Sequence, residues 1–524
     1  MSFDVIIRNG RIIDGTGNPW YKADVGISKD RVESIGDLSG AGCGRKIDAE
    51  GLVVAPGFID IHSHSDYVTL LEPKVESKIR QGVTTEVVGN CGSSAAPMNE
   101  SVREHREKYM RSSLSDDFEF NWETMADYLG LIEAQGASYT VAALVGHGTV
   151  RQNVMGYEDR APTEAELEEL KGLVDDAMKD GAWGLSTGLI YIPSVFAETE
   201  ELIELTKVVA EHRGLYFSHI RGEGETLLDA VNEAIRIGEE AGVPVQMAHF
   251  KASGEPHWGK TVDSLRLVAE GRDRGVDVTF DQYPYIASST GLSALLPHWA
   301  QEGGADILLE RLRDPDTRKK IKDADWRTIT TDLSSIMIAR AKNNTQYEGM
   351  RVTEVAEKEG KEPRDAVFDL LLAEDAQVQI VAFGMSEEDV RRVMRSPYGM
   401  VGSDGRAVSP YGVLGGGKPH PRFYGTFPRV IGHYVREGVL SLQEAVRKMT
   451  SAPALRLGLK DRGLLREGYK ADITVFDPTK VKDEATFIDP HQFASGIPYV
   501  IVNGTVVIDE GEHTGELPGV ALKP

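Results

Sequence analysis

The chain has 524 residues, with 82 Asp and Glu against 58 Lys and Arg, for a formal net charge of -24. That length accommodates one large domain and a smaller one, and so acidic a surface excludes nucleic acid and anionic membranes as expected partners. Its 2 cysteines, Cys43 and Cys91, exclude a disulfide framework and suit a reducing compartment.

The first residues, MSFDVIIRNG, hold no basic segment followed by an apolar stretch, so no signal peptide is expected. No apolar run is long enough to span a bilayer, and the cytoplasm is the expected location. Val5 to Gly15 reads as two short β-rich runs around Asn9-Gly10, and Tyr499 to Asp509 repeats the pattern around Asn503-Gly504. Asn-Gly between β-branched runs signals a hairpin, because both residues tolerate positive φ. Ala23–Ile27 and Asp472–Phe476 read as further strands. The expectation is a small β-sandwich built from both termini, residues 1–55 with 465–524.

Between the ends, short apolar runs alternate with helical stretches, the signature of βα units. Eight runs qualify as barrel strands: Gly57–His62, Thr84–Gly89, Val141–His147, Gly184–Thr187, Leu215–His219, Pro244–His249, Asp277–Tyr283 and Met400–Asp404. They predict a (β/α)₈ barrel over 56–464, although counting alone leaves an open doubly wound sheet in play. The gap before the eighth strand predicts an inserted, lid-like subdomain from about 286 to 349. Val378–Phe383 is a further strand candidate that competes for a place in the barrel.

Most of these strands end in a polar or ionisable residue, and barrel enzymes keep their chemistry at that end. His62 and His64 in Phe-Ile-Asp-Ile-His-Ser-His are two apart on a strand, so they face one side and can share an ion. His219 and His249 each close an apolar strand. Alone, either reads as a structural histidine; together, after a His-x-His start, they read as ligands. Asp404 in Val-Gly-Ser-Asp-Gly can bind metal, accept a proton from water and return it to a leaving amine. Its rival role is an Asx-type turn before Gly405. Cys91, in Gly-Asn-Cys-Gly, offers a soft thiolate that can ligate zinc or bridge two ions. Cys43, with no histidine nearby, reads as structural. His147 reads as a support residue. Arg221, Lys251 and Arg422 lie just beyond strand ends, where a substrate carboxylate would need cations. Arg221 serves equally well as a support for a neighbour. Gly405 to Lys418 reads as a flexible insertion before Arg422.

In this order, these residues resemble the amidohydrolase superfamily, whose barrel carries His-x-His on the first strand, histidines on the fifth and sixth, and aspartate on the eighth. Gly89-Asn-Cys-Gly92, Gly146-His-Gly-Thr149, Phe217-Ser-His-Ile-Arg221, Ala248-His-Phe-Lys-Ala-Ser-Gly254, Asp281-Gln-Tyr-Pro-Tyr285 and His420-Pro-Arg-Phe-Tyr-Gly-Thr-Phe427 most resemble the N-acyl-D-amino-acid deacylases. That resemblance implies one zinc held tightly by Cys91, His219 and His249. It implies a second, weaker position bordered by His62, His64 and Asp404. It also implies Lys251, Tyr283 and Arg422 as binders of the substrate carboxylate, with Ser289 in addition. The expected reaction is hydrolysis of an N-acyl-D-amino acid, a small-molecule substrate, with Asp404 as proton carrier. The D preference comes from the resemblance alone. The rivals are a cyclic-amide hydrolase of the hydantoinase or dihydroorotase kind, generally built on a carboxylated lysine not placed here, a deaminase, and a non-catalytic barrel.

Overall fold

A computed structural model describes residues 2–115, 117–326 and 332–524 of the protein. Its central element is a ring of parallel strands: Phe58–Asp60, Val83–Val88, Thr140–Ala143 continued as Val145–Gly146, Gly184–Gly188, Leu215–His219, Val245–Met247, Val278–Gln282 and Gly399–Val401. Each pairs with the next in sequence. The third strand breaks at Leu144, so that its first half pairs with the second strand and its last two residues with the fourth. The eighth returns to the first through Asp404 N to His62 O (2.8 Å) and His64 N to Gly405 O (3.0 Å). These bonds close the barrel and exclude the open sheet. The strands are short and rich in β-branched residues. Val-Thr-Thr-Glu-Val-Val of the second is buried at every position, as both faces of a barrel strand must be. Capped helices return the chain between them. Thr163 and Glu166 form a capping box on Glu164–Asp180, and Gly242 (φ 73°) ends Leu227–Ala241 in the left-handed conformation that glycine adopts freely.

Both termini enter one nine-stranded hydrogen-bonded sheet, in which Ile473–Phe476 pairs with Val53–Pro56. Val5, Ile7, Ile12, Val54, Ile473 and Ile501 share an apolar cluster. The two Asn-Gly pairs behave differently. Asn503-Gly504 turns the expected hairpin between Tyr499–Val502 and Thr505–Asp509. Asn9-Gly10 does not turn: Ser2–Ile12 is one strand, and both its runs pair with Tyr21–Ser28 across a register shift between Ile7 and Gly10. The positive φ of Asn9 (60°) serves a bulge here. From the β-domain the last residues reach back to the barrel, where Val141 N donates to Val520 O (2.9 Å) and Leu522 N to Val141 O (2.7 Å).

The insertion is larger than the sequence suggests. Ala287–Gly291, Gln379–Phe383 and Ile336–Arg340 form an antiparallel three-stranded sheet, so it extends beyond 349 to Phe383. Val378–Phe383 therefore belongs to the insertion and not to the barrel. Its Ile380 packs in a separate core with Leu292, Trp326 and Phe368. Residues 327–331 of the expected insertion lie outside the described residues. Among the described residues, no helix is long and apolar enough to cross a membrane.

Candidate active site

The barrel delivers the expected side chains to one mouth. His62 and His64 leave the first strand, Cys91 follows the second, His219 ends the fifth, His249 follows the sixth and Asp404 the eighth. One ligand atom from each of His62, His64, Cys91 and Asp404 lies within 4.8 Å of the others, and Cys91, His219 and His249 form a second such group. The thiol is common to both. Cys91 Sγ is 3.3 Å from His62 Nε2 and 3.7 Å from His249 Nε2, and His249 Nε2 is 2.8 Å from His219 Nδ1. Asp404 Oδ1 lies 3.1 Å from His64 Nε2 and 3.5 Å from His62 Nε2. Lone-pair atoms this close repel unless a proton or a cation lies among them. A thiolate with imidazoles and a carboxylate is a donor set that fits zinc.

The local backbone is built for this convergence. Cys91 (φ 52°), His249 (φ 35°) and Asp404 (φ 48°) all occupy the left-handed region, which costs on the order of 1–3 kcal/mol per non-glycine residue and persists mostly at functional sites. Gly89 is required beside Cys91, because a Cβ there would stand 2.2 Å from the Leu144 carbonyl oxygen. Burial would push the Cys91 thiol up, but the charge of His62 and the hydrogen bonds of the three imidazoles outweigh it and hold the thiol well below its ordinary range. Burial likewise opposes ionisation of Asp404, and Arg422, His249 and His62 overcome it.

A second layer holds these groups. Asp281 Oδ1 accepts from His249 N (2.8 Å) and lies 3.0 Å from His62 Nδ1, while Oδ2 accepts from Gln246 Nε2 (3.0 Å). A carboxylate on Nδ1 fixes the tautomer that leaves the His62 Nε2 lone pair free toward Cys91. Lys78 is buried beneath the mouth. Its Nζ donates to Asp60 Oδ2 (2.8 Å), Ser403 Oγ (2.7 Å) and Gly405 O (3.1 Å) and lies 2.9 Å from Glu86 Oε1. One ammonium thus ties the first, second and eighth strands together next to Asp404.

A cavity of about 620 Å³ opens in front of His64, Cys91 and Asp404 and extends to Ser289 on the insertion. Arg422 Nη1 is 2.8 Å from Asp404 Oδ2, and its Nη2 donates to Ser289 O (3.3 Å). The Tyr283 ring lies beneath the Arg422 guanidinium (4.7 Å), and its buried hydroxyl has no hydrogen-bond partner among the described residues. Lys251 Nζ donates to Glu223 Oε1 (2.5 Å) and touches His249 Nδ1 (2.7 Å). Arg221 is turned elsewhere. Its guanidinium forks onto Glu233 (2.9 Å) and donates to the carbonyls of Val195 (3.0 Å) and Ala197 (2.9 Å), so most of its donors are spent within the fold. His147 sits between Ser194 Oγ (3.0 Å) and Glu201 Oε1 (2.9 Å) and joins neither ligand group.

A model of the amidohydrolase family matches residues 45–508. The chain belongs to the amidohydrolase family. It is 40% identical to a D-aminoacylase of Alcaligenes xylosoxydans xylosoxydans over 522 residues, 99% of this chain and 97% of that one. A solved D-aminoacylase, studied for its binuclear metal centre, superposes with a TM-score of 0.84 at 37% identity and full coverage of both chains. A solved N-acyl-D-glutamate deacylase of Bordetella bronchiseptica, complexed with zinc and a phosphonate mimic of the tetrahedral intermediate, also gives a TM-score of 0.84, at 34% identity and full coverage of both.

The amidohydrolase mouth also contains residues that sequence reasoning passed over. Asp281 stands one residue before the end of the seventh strand and obeys the same strand-end rule that picked out His219. Glu223 stands two residues beyond Arg221 and pairs with Lys251. Tyr191 places its ring 5.1 Å from that of His219 and lines the cavity. Lys78 carries no such signal, since Glu-Ser-Lys-Ile-Arg-Gln reads as a solvated turn.

Proposed function

We propose that this amidohydrolase cleaves the amide bond of N-acyl-D-amino acids, giving a carboxylate and a free D-amino acid. The observation that carries the reading is the shared thiol: Cys91 joins the His219–His249 pair to the His62–His64–Asp404 group. In this reading Cys91, His219 and His249 hold zinc tightly, and His62, His64 and Asp404 border a weaker second position. When bound, the ion supplies Lewis-acid activation of the amide carbonyl and of water. The side chain shared by the two groups is the Cys91 thiol, where hydantoinase-like relatives generally carry a carboxylated lysine, and this favours a linear amide over their ring substrates.

Asp404 takes the proton of the attacking water at a carboxylate oxygen and delivers it to the departing nitrogen. His64 and Arg422, on either oxygen of that carboxylate, aim it and keep it ionised. Arg422, Tyr283, Lys251 and Ser289 receive the α-carboxylate of the substrate. The unpartnered Tyr283 hydroxyl is a donor for it, and the Arg422 guanidinium contributes a fork. Ser289, Arg340 and Gln379 of the insertion line one side of the cavity. The D preference follows the similarity to D-aminoacylase and to N-acyl-D-glutamate deacylase; those names span more than one side-chain class and leave the side chain open. Two free cysteines support a cytoplasmic location.

The test is a panel of N-acetyl-D- and N-acetyl-L-amino acids assayed for free amine, with zinc measured in the same preparation. Asp404→Asn should keep the tight zinc and lose about 10²–10⁴ in kcat. Near-normal kcat in that variant, or turnover of L substrates alone, would overturn the reading.

A further inference from the structure

The cavity in front of the ligands is cationic in an acidic protein. Its lining includes Arg106, Arg340, Lys342, Arg406 and Arg422 against one carboxylate, Asp404, in a chain of net charge -24. Two of the arginines are engaged. Arg106 donates to Ser94 O (2.9 Å) and Thr149 Oγ1 (3.3 Å), and Arg422 is paired with Asp404.

Arg340 and Arg406 are not engaged. Both are half-buried, and among the described residues neither guanidinium makes an ion pair or a side-chain hydrogen bond. The acid facing Arg340 is Glu348, whose carboxylate accepts from Ala341 N (3.1 Å) and lies beyond ion-pair distance. Both guanidiniums line the same cavity, close enough for the charge of Arg340 to bear on Arg406. They come from separate units. Arg340 ends an insertion strand, and Arg406 lies two residues beyond Asp404 on the barrel. Half-buried charge without a partner is unfavourable unless an anion completes it.

We infer that Arg340 and Arg406 receive a second carboxylate of the substrate, so that the preferred substrates are dianionic N-acyl amino acids. This rests on the deacylase reading, in which the α-carboxylate goes to Arg422, Tyr283 and Lys251. The second carboxylate has two sources, an acidic side chain or a dicarboxylic acyl group, and both present the planar acceptor that an arginine fork binds.

Zinc-loaded enzyme should be assayed on two matched pairs. N-acetyl-D-glutamate against N-acetyl-D-glutamine tests the side chain, and N-succinyl-D-methionine against N-acetyl-D-methionine tests the acyl group. We expect one pair to favour the dianion in kcat/KM by about 10- to 100-fold, the range of hydrogen bonds to charged groups. In Arg340→Met/Arg406→Met that ratio should fall toward one. Each ratio is taken within one protein, so a general loss of folded enzyme cancels. Ratios near one in the wild type, or a ratio unchanged in the double variant, would overturn the inference. Calorimetric binding of D-glutamate against D-glutamine, and of succinate against acetate, separates the two readings. Preference in binding without turnover of any N-acyl-D-amino acid would sink the deacylase and leave the anion receptor standing. Turnover without any preference would do the reverse.

Discussion

Replacing Asp281 by asparagine changes one atom and removes the charge behind His62. Oδ1 accepts from His249 N (2.8 Å) and lies 3.0 Å from His62 Nδ1. Turned to place its nitrogen there, the amide would set a donor against the His249 N–H. It would also force His62 to carry its proton on Nε2, the atom 3.3 Å from Cys91 Sγ. The amide oxygen must therefore keep the Oδ1 position. Nδ2 then faces Gln246 Nε2, at the 3.0 Å where Oδ2 accepts now. Gln246 relieves that clash by flipping, which turns the Thr279 hydroxyl, now a donor to Gln246 Oε1 (2.5 Å), into an acceptor. What cannot be relieved is the missing negative charge on Nδ1. Loss of such a partner lowers metal affinity about 10- to 100-fold, or about 1.4–2.7 kcal/mol. We expect Asp281→Asn to release metal from the His62 side at correspondingly lower chelator concentration, with Cys91, His219 and His249 keeping theirs longer. Chelator titration with metal analysis reads this directly. Unchanged affinity at both positions would refute the idea that Asp281 sets the His62 tautomer.

Lys78→Met should leave Asp60 and Glu86 buried without a counter-charge and cost about 3–5 kcal/mol. The apparent thermal midpoint should fall sharply, and adding Glu86→Gln should recover part of it; an unmoved midpoint would show that the buried triad does not hold the barrel seam. Burial holds Lys448 down to about 8, from 10.5 for a free lysine. Between those values the unfolded chain binds the proton more tightly, so this group makes stability rise with pH. The destabilisation is full below pH 8 and disappears toward pH 10.5. Lys448→Met should therefore be favourable relative to wild type at pH 7 and lose that advantage by pH 10, as denaturant midpoints at the two pH values would reveal; a pH-independent difference contradicts it. Lys251→Ala should raise KM for N-acyl amino acids by about tenfold or more, the effect of losing one charged hydrogen bond. An unchanged KM would take Lys251 out of the substrate site.

Much of the mouth was legible because its chemistry sits at strand ends. A histidine or aspartate that closes an apolar run has only one place to go in a barrel, so His62, His64, His219, His249 and Asp404 could be read in order from the chain. Glycines at 89 and 92 marked Cys91 as a place where backbones pass closely, and the structure adds the reason, the Leu144 carbonyl against Gly89. The same rule reached Asp281 and was not applied to it.

Local pattern states what a residue can do, and partners from distant segments decide which option is taken. Asn9-Gly10 and Asn503-Gly504 are the same dipeptide between similar runs. One turns a hairpin and the other makes a bulge, because Tyr21–Ser28 lies alongside both runs of the first and holds it straight. Arg221 and Arg340 are both arginines near strand ends. Glu233 and two carbonyls occupy the first, while among the described residues no acid within ion-pair distance meets the second. Lys78 looks like a surface residue until Asp60, Glu86 and Ser403, brought in by three different strands, surround it. Periodicity and strand-end chemistry, carried in the order of residues, determined the barrel and most of the side chains gathered at its mouth. Whether a charge is spent within the fold or left for a ligand was decided in three dimensions, because electrostatic energy depends on distances between groups that the chain keeps far apart.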